Sequence, residues 1–232
     1  MVLIIALVLA GLYLISSILH LIFTAKKKNN ITKVTNFIPI PLLIAATILF
    51  LVTTFPDSKN LIRYYSCALG TTFLCYCFYL YNVIKSKNGN NILTNLLFLI
   101  SNIFWLGILL PSFKLCPAPT FVIVIFIILC IALILLHYFY CTKKFIIIDF
   151  SLLFLALSSE AVLLFAAILT IISQIAIYSV MYFVGTVLLI FITCRQQKLY
   201  FSEETKTIHF STSLLFSIYL LIMSASTVLM QI

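Results

Sequence analysis

Residues 145–194 of this chain read FIIIDFSLLFLALSSEAVLLFAAILTIISQIAIYSVMYFVGTVLLIFITC, with two acidic residues and no Lys or Arg. A single helix of that length would measure about 75 Å, whereas the hydrocarbon core of a bilayer is about 30 Å thick. The stretch must therefore break once. Thr170, Ser173 and Gln174 cluster near its middle, and clusters of small polar residues mark helix interruptions. The sequence predicts two apolar helices separated at residues 170–174.

The composition of the whole chain extends this interpretation. Of its 232 residues, 64% are hydrophobic and 8% are charged, whereas soluble domains average roughly 45–50% apolar and about 25% charged residues. So few charges cannot solvate a soluble surface, but helices in lipid close their backbone hydrogen bonds internally. A β-barrel would show alternation over segments of about ten residues. The unbroken runs here predict an all-α, polytopic transmembrane helix bundle.

Eight spans joined by short loops account for the complete chain as one integral membrane domain, 1–232. Runs such as Lys26-Lys27-Lys28-Asn29-Asn30 and Lys85-Ser86-Lys87-Asn88-Gly89 end the apolar stretches. The predicted spans are 1–24, 36–55, 61–84, 92–110, 120–140, 145–169, 175–194 and 209–232.

The basic residues support this division independently. Eleven Lys and Arg residues fall after spans one, three, five and seven, three fall after spans two, four and six, and neither terminus carries one. Cytoplasmic loops carry the excess of Lys and Arg, so both termini are predicted to be non-cytoplasmic. If 145–194 were one span, the Lys and Arg residues would divide as eight in cytoplasmic loops and six in non-cytoplasmic loops. The net charge of +9 is explained by anchoring beside anionic lipids and implies no nucleic-acid partner.

The motifs of soluble enzymes do not occur in the sequence. It contains no GxGxxG, GxxxxGK[ST], GxSxG or HExxH pattern, so we expect no nucleotide cofactor. None of the seven cysteines forms a CxxC pair and most lie within spans. Apolar packing is therefore favoured over a disulfide framework or a cysteine metal site. Chemistry must come from polar residues inside the spans.

Glu160 is the strongest candidate, because it lies near the middle of the sixth span. A carboxylate at that depth costs roughly 2.5–3.5 kcal/mol unless it is protonated or paired. It can serve as a proton donor or acceptor; the alternative is a neutral, hydrogen-bonded structural acid. Asn102 lies at mid-depth in the fourth span, where an interhelical hydrogen bond is its commonest use. We expect Glu160 to face the bundle interior with Asn102 or Thr71 as a polar neighbour.

Three histidines and one aspartate share a predicted depth at the cytoplasmic side. His20 and His137 end spans one and five, His209 begins span eight, and Asp149 lies near the start of span six. If they converge, they could bind a metal ion or a headgroup phosphate. The alternative is that they are interfacial polar residues on separate helices.

A series of short motifs follows the predicted spans in order. They are Thr32-Lys33 with Pro39-Ile40-Pro41-Leu42-Leu43, Ala68-Leu69-Gly70-Thr71, Leu99-Ile100-Ser101-Asn102, the apolar run from Leu152 that ends in Ser158-Ser159-Glu160, and Tyr182-Phe183-Val184-Gly185. With eight spans and no extramembrane domain, this series resembles the lysoplasmalogenase (YhhN-like) family, in which the Gly70-Thr71 motif reads Gly-Asp.

The resemblance places residues of this chain at the polar positions of that family. Thr71 stands where the family carries an Asp, Asn102 where it carries a His, and Glu160 where it carries the acid of a Ser-Asp or Ser-Asn motif. In this match, span eight has no counterpart in the family. A match of the whole chain by helix order instead puts Thr193-Cys194 at the Ser-Asp motif, and both registers stay open.

The family resemblance implies hydrolysis of the vinyl-ether bond of a lysophospholipid, the lysoplasmalogen, without a cofactor. Glu160 would then be the acid, and Thr71 and Asn102 would orient water or the headgroup. The alternative is a non-enzymatic membrane module: a small-solute carrier, a lipid-binding protein or a subunit of a membrane complex. The sequence does not determine the oligomeric state.

The charge distribution makes a direct topological prediction. In a cysteine-free background, single cysteines in the loops 85–91 and 195–206 should be labelled by an impermeant maleimide only after the membrane is opened. A cysteine at Asp57, in the loop after span two, should be labelled in intact cells and is the matched control. Labelling of either basic loop from outside would contradict the assignment.

Overall fold

The computed structural model describes residues 2–26, 35, 38–86, 92–109, 124–133, 135, 160–172, 176–201 and 206–231. The only regular secondary structure among these residues is α-helix, which confirms the all-α prediction. The described helices are α1 (Val2–Ala25), α2 (Pro39–Thr54), α3 (Lys59–Ser86), α4 (Ile92–Leu109), α5 (Val124–Leu133), α6 (Glu160–Ile172), α7 (Ile177–Phe201) and α8 (Lys206–Leu229).

One of these helices, α1, is by its length and composition able to cross a membrane; among the described residues the other apolar stretches are 10–17 residues long. Signal sequences and buried core helices can share the composition of α1. Its burial pattern is more informative than its length. The side chains it buries are Ala6, Tyr13, Ser17 and His20, which lie on one helical face. Most of its leucines, isoleucines and valines are exposed.

The long apolar stretch 145–194 holds parts of two helices. Among the described residues, α6 is helical as far as Ile172, Ala176 is not helical and α7 begins at Ile177. A break within 145–194 is therefore confirmed, but Thr170 of the predicted interruption 170–174 still belongs to α6. The polar segment 195–206 was predicted to be a loop, and this is wrong for residues 195–201, which continue α7. Arg, Gln and Lys are good helix formers, so a helix extends past the end of its apolar run without penalty.

Helices adjacent in sequence pack as pairs: α1 with α2, α3 with α4, and α7 with α8. The last helix, α8, also packs against α1 and α2. At one end of the bundle the Ser58 hydroxyl, between α2 and α3, donates to the Gln231 side chain just beyond α8. Because α1 and α2 pack as a hairpin, the N-terminal end of α1 lies at that same end. The side of a membrane that this end faces stays a prediction.

Buried hydroxyls join helices that are distant in sequence. The Tyr13 hydroxyl donates to the Ser217 carbonyl at 2.9 Å, and the Tyr65 hydroxyl donates to Ser224 Oγ at 2.7 Å. These bonds tie α8 to α1 and to α3. In the other direction, the Ser226 hydroxyl donates to the carbonyl of Tyr178 on α7 at 2.8 Å.

Two glycines allow neighbouring helices to approach closely. A Cβ at Gly107 on α4 would lie 2.8 Å from the ring of Tyr64 on α3. A Cβ at Gly185 on α7 would lie 2.7 Å from Met223 Sδ on α8. Small residues at such positions are typical of helix pairs in lipid, where close backbone approach replaces the hydrophobic effect as the driving force.

The Tyr65–Ser224 hydrogen bond should contribute a measurable coupling. A double-mutant cycle with Tyr65→Phe and Ser224→Ala should give about 0.6 kcal/mol, with an upper limit of about 1.7 kcal/mol, as found for buried bonds in helical membrane proteins. Tyr64→Phe, which changes an exposed tyrosine, is the matched control and should leave the free energy of unfolding unchanged. Zero coupling in the cycle would show that this bond does not stabilise the bundle.

Candidate functional site

Glu160 lies in α6, a helix with little exposed surface. Its side chain is 0% exposed, so the sequence-based expectation that it faces the interior agrees with the structure. Leu163 of α6 joins the larger apolar cluster of the core, while Ala161 and Leu164 join a smaller cluster with α5 and α7. Glu160 is therefore held on a helix that packs between two apolar groups.

Thr193, on α7, supplies a polar partner. Its hydroxyl is hydrogen-bonded to Glu160 Oε1 and lies 2.9 Å from the carbonyl oxygen of Ile190, one turn earlier on the same helix. The Thr193 hydroxyl has one proton, so it donates either to Glu160 Oε1 or to the Ile190 carbonyl. Apolar surroundings favour the neutral form of a carboxyl group held in this way.

The basic side chains whose burial the structure describes lie at the surface. Lys26, Lys59 and Arg63 are all exposed, and Asp57 is exposed at the α2–α3 connection. The described charges therefore follow the pattern of a membrane protein, in which charged groups lie towards helix ends. Glu160 is the exception to this pattern, which makes it the leading functional candidate.

The other two predicted site residues do not bond to Glu160. The amide of Asn102 is buried, and neither its nitrogen nor its oxygen has a hydrogen-bond partner among the described residues. The Thr71 hydroxyl donates within its own helix, to the carbonyls of Cys67 at 2.7 Å and Ala68 at 3.0 Å. The predicted pairing of Glu160 with Asn102 or Thr71 is therefore wrong, and Thr193 takes that place.

Depth along neighbouring helices explains the error for Asn102. The Tyr182 hydroxyl donates to the Trp105 carbonyl at 2.8 Å, which sets α7 and α4 at a common level. Thr193 is eleven residues beyond Tyr182, about 16 Å along the axis, whereas Asn102 is three residues from Trp105, about 4.5 Å. The difference between these two distances places Thr193 and Asn102 about 12 Å apart in depth. Single-sequence reasoning has no measure of the relative depth of two helices.

Sequence reasoning also missed the polar contact between α3 and α4. The hydroxyls of Thr72 and Ser101 lie 2.6 Å apart, and the Ser101 hydroxyl donates to the Ala68 carbonyl at 2.9 Å. These residues adjoin Thr71 and Asn102, but one residue turns a helix by about 100°. Thr72 follows buried Leu69 by three positions and buried Tyr65 by seven. That spacing places Thr72 on the same face of α3 as Leu69 and Tyr65.

The proposed histidine and aspartate cluster is only partly within the described residues. His20 is buried, and its Nδ1 lies 3.2 Å from Thr35 Oγ1. His137, Asp149 and the side chain of His209 lie outside the described part. Within the described part, no group of three or more His, Cys, Asp or Glu residues could hold a metal ion. Convergence of the four residues stays a prediction.

No family model matches the chain, and no curated protein or solved structure aligns with it significantly. The functional argument therefore depends on the residues and contacts of this chain. The resemblance to lysoplasmalogenases stays a hypothesis that only an activity measurement can test.

The Glu160–Thr193 bond leads to a stability prediction. Thr193→Val keeps the shape of the side chain but removes the oxygen that bonds to Glu160, so the free energy of unfolding should fall by about 1–3 kcal/mol. Thr53→Val is the matched control, because the Thr53 hydroxyl is exposed and bonds only to carbonyls of its own helix; its effect should be near zero. Equal stability of the two variants would show that Thr193 does not satisfy Glu160.

Proposed function

We propose that this chain is a polytopic integral membrane protein whose eight described helices each belong to a bilayer-crossing segment. The supporting observation is its surface. Large apolar side chains are exposed on every described helix, with Ile4 65%, Ile128 58% and Ile177 73% exposed. Soluble monomers rarely expose apolar patches larger than a few hundred Å². In lipid such a surface carries no cost, while buried hydroxyls such as those of Tyr65 and Thr72 find partners inside the bundle.

The proposed orientation has both termini on the non-cytoplasmic side. Two independent features support it: the excess of Lys and Arg after the odd-numbered spans, and the Ser58–Gln231 contact at one end of the bundle. An even number of crossings returns the chain to the side on which it began. The α2–α3 connection would then be extracellular or periplasmic.

For activity, we infer hydrolysis of a vinyl-ether lipid with Glu160 as the general acid. A carboxylic acid held neutral in apolar surroundings can donate a proton to the outer vinyl carbon, which leaves an oxocarbenium ion. Water adds to that ion, and its proton returns to the Glu160 carboxylate. The resulting hemiacetal separates into an aldehyde and a glycerol hydroxyl. The net reaction consumes one water and needs neither metal nor cofactor.

The contact between Glu160 and Thr193 supports this inference. The Ser-Asp motif of the family matches Glu160 in one possible register and the Thr193-Cys194 pair in the other. In the folded chain Glu160 and Thr193 are hydrogen-bonded to each other, so both registers lead to one location in the bundle. A single protonated acid with a hydroxyl neighbour is the minimum that acid-catalysed vinyl-ether hydrolysis requires.

The second candidate is a non-enzymatic membrane module, in which Glu160 is a structural acid or a lipid-binding group. One observation favours it. The position where the family carries its Gly-Asp acid holds Thr71, whose hydroxyl is engaged by its own helix. Such a module would bind single-chain lipids or a small solute without turnover.

Aldehyde release from a lysoplasmalogen by the purified protein in nanodiscs separates the two candidates. We expect turnover by the wild type and at least a hundredfold loss in Glu160→Gln, since general acid catalysis contributes about 10²–10⁴ and the amide keeps shape while removing the transferable proton. Asp57→Asn, which changes an exposed carboxylate, is the matched control and should retain full activity. A wild type without turnover would favour the non-enzymatic module, and an active Glu160→Gln would exclude Glu160 as the acid.

A further inference from the structure

A pair of buried polar side chains on α4 has no hydrogen-bond partner among the described residues. Asn102 is 1% exposed and Trp105 is 0% exposed. Both polar atoms of the Asn102 amide and the indole Nε1 of Trp105 lack hydrogen-bond partners among the described residues. The large majority of buried side-chain polar atoms in proteins have a hydrogen-bond partner, and one without a partner destabilises the folded state. Three such atoms on one face of one helix require an explanation.

The surrounding contacts hold these side chains in place. The Trp105 ring packs edge-on against Tyr65, with centroids 5.8 Å apart, and against Tyr182, with centroids 6.1 Å apart. Tyr182 also donates its hydroxyl to the Trp105 carbonyl. Next to Asn102, Ser101 is fixed by its bonds to α3. The indole therefore cannot turn towards another protein acceptor without breaking this packing.

Asn102 and Trp105 together define the chemistry of a missing partner. The amide offers two N–H donors and one carbonyl acceptor, and the indole offers one N–H donor. Residues three apart on a helix are neighbours on one face, with Cβ atoms about 5–6 Å apart. The partner must accept from several donors and donate at least once. A small uncharged group meets this demand without the cost of burying a charge in apolar surroundings.

We propose that Asn102 and Trp105 form a buried site for a hydroxyl group, supplied either by a bound water molecule or by the free glycerol hydroxyl of a single-chain lipid. A hydroxyl is the small neutral group that both accepts and donates. Water in protein interiors typically makes about three hydrogen bonds to buried polar groups. The proposal rests on the membrane placement proposed above. It is independent of hydrolysis, since the site lies about 12 Å in depth from Thr193.

Trp105 is the single tryptophan of the chain, so its spectra report on this site alone. The ultraviolet resonance Raman band of the indole N–H in the detergent-purified wild type should have the position of a hydrogen-bonded indole. In Asn102→Leu, which removes the amide but keeps the volume, the band should shift to the non-bonded position and the fluorescence should move to shorter wavelength. Asn60→Leu, at an exposed position, should change neither.

Two lipids distinguish the sources of the hydroxyl. A 1-O-alkylglycerol should raise the melting temperature of the wild type but not of Asn102→Leu if the lipid hydroxyl fills the site, and its di-O-methyl analogue should do neither. If both lipids leave the melting temperature unchanged while the wild-type indole is hydrogen-bonded, water fills the site. A non-bonded indole in the wild type, or an unshifted band in Asn102→Leu, would overturn the proposal. If either result is found but the protein still stays in the membrane after a carbonate wash, the proposed membrane placement is unaffected.

Discussion

The need to satisfy polar groups inside the bundle is the constraint on which the rest of this structure depends. Large apolar side chains are exposed on every described helix, and in the proposed lipid environment such a surface offers hydroxyls no partners. The hydroxyls of Thr170, Thr186 and Thr227 donate to carbonyls four residues earlier on their own helices. Others cross between helices, as Tyr65 does to Ser224. The position of α8 follows from several of these crossings.

The need for a polar partner inside the bundle is greatest for Glu160. A carboxyl group in apolar surroundings needs a polar partner, and Thr193 provides one from the facing helix. Under the proposed function, the same carboxyl group of the core is also the one that transfers a proton. The amide of Asn102, about 12 Å away in depth and without a hydrogen-bond partner in the described part of the chain, is a separate polar feature of the interior.

Length and composition were enough to predict the all-α class, a break within residues 145–194 and the burial of Glu160, because each follows from the cost of polar groups or excess length in a bilayer. The partner of Glu160 could not be predicted in this way. It depends on how far α7 is displaced along α4 and on which face of α7 turns inward, and neither is encoded in one helix alone. The same limit explains why Thr71 was selected although Thr72 makes the interhelical contact. The C-terminal extension of α7 was missed because a change from apolar to polar residues does not end a helix.

The central claim is that the exposed apolar side chains of this bundle contact lipid, while polar side chains are buried inside it. Spin labels at Ile15, Ile103, Ile128 and Val184, which are exposed on four different helices, test it most directly. In the reconstituted protein, each label should be readily relaxed by oxygen, which partitions into lipid, and poorly relaxed by a water-soluble nickel chelate. A label at Lys59, exposed at the start of α3, should show the reverse. Strong relaxation of the four labels by the nickel chelate would place these faces in water and contradict the account.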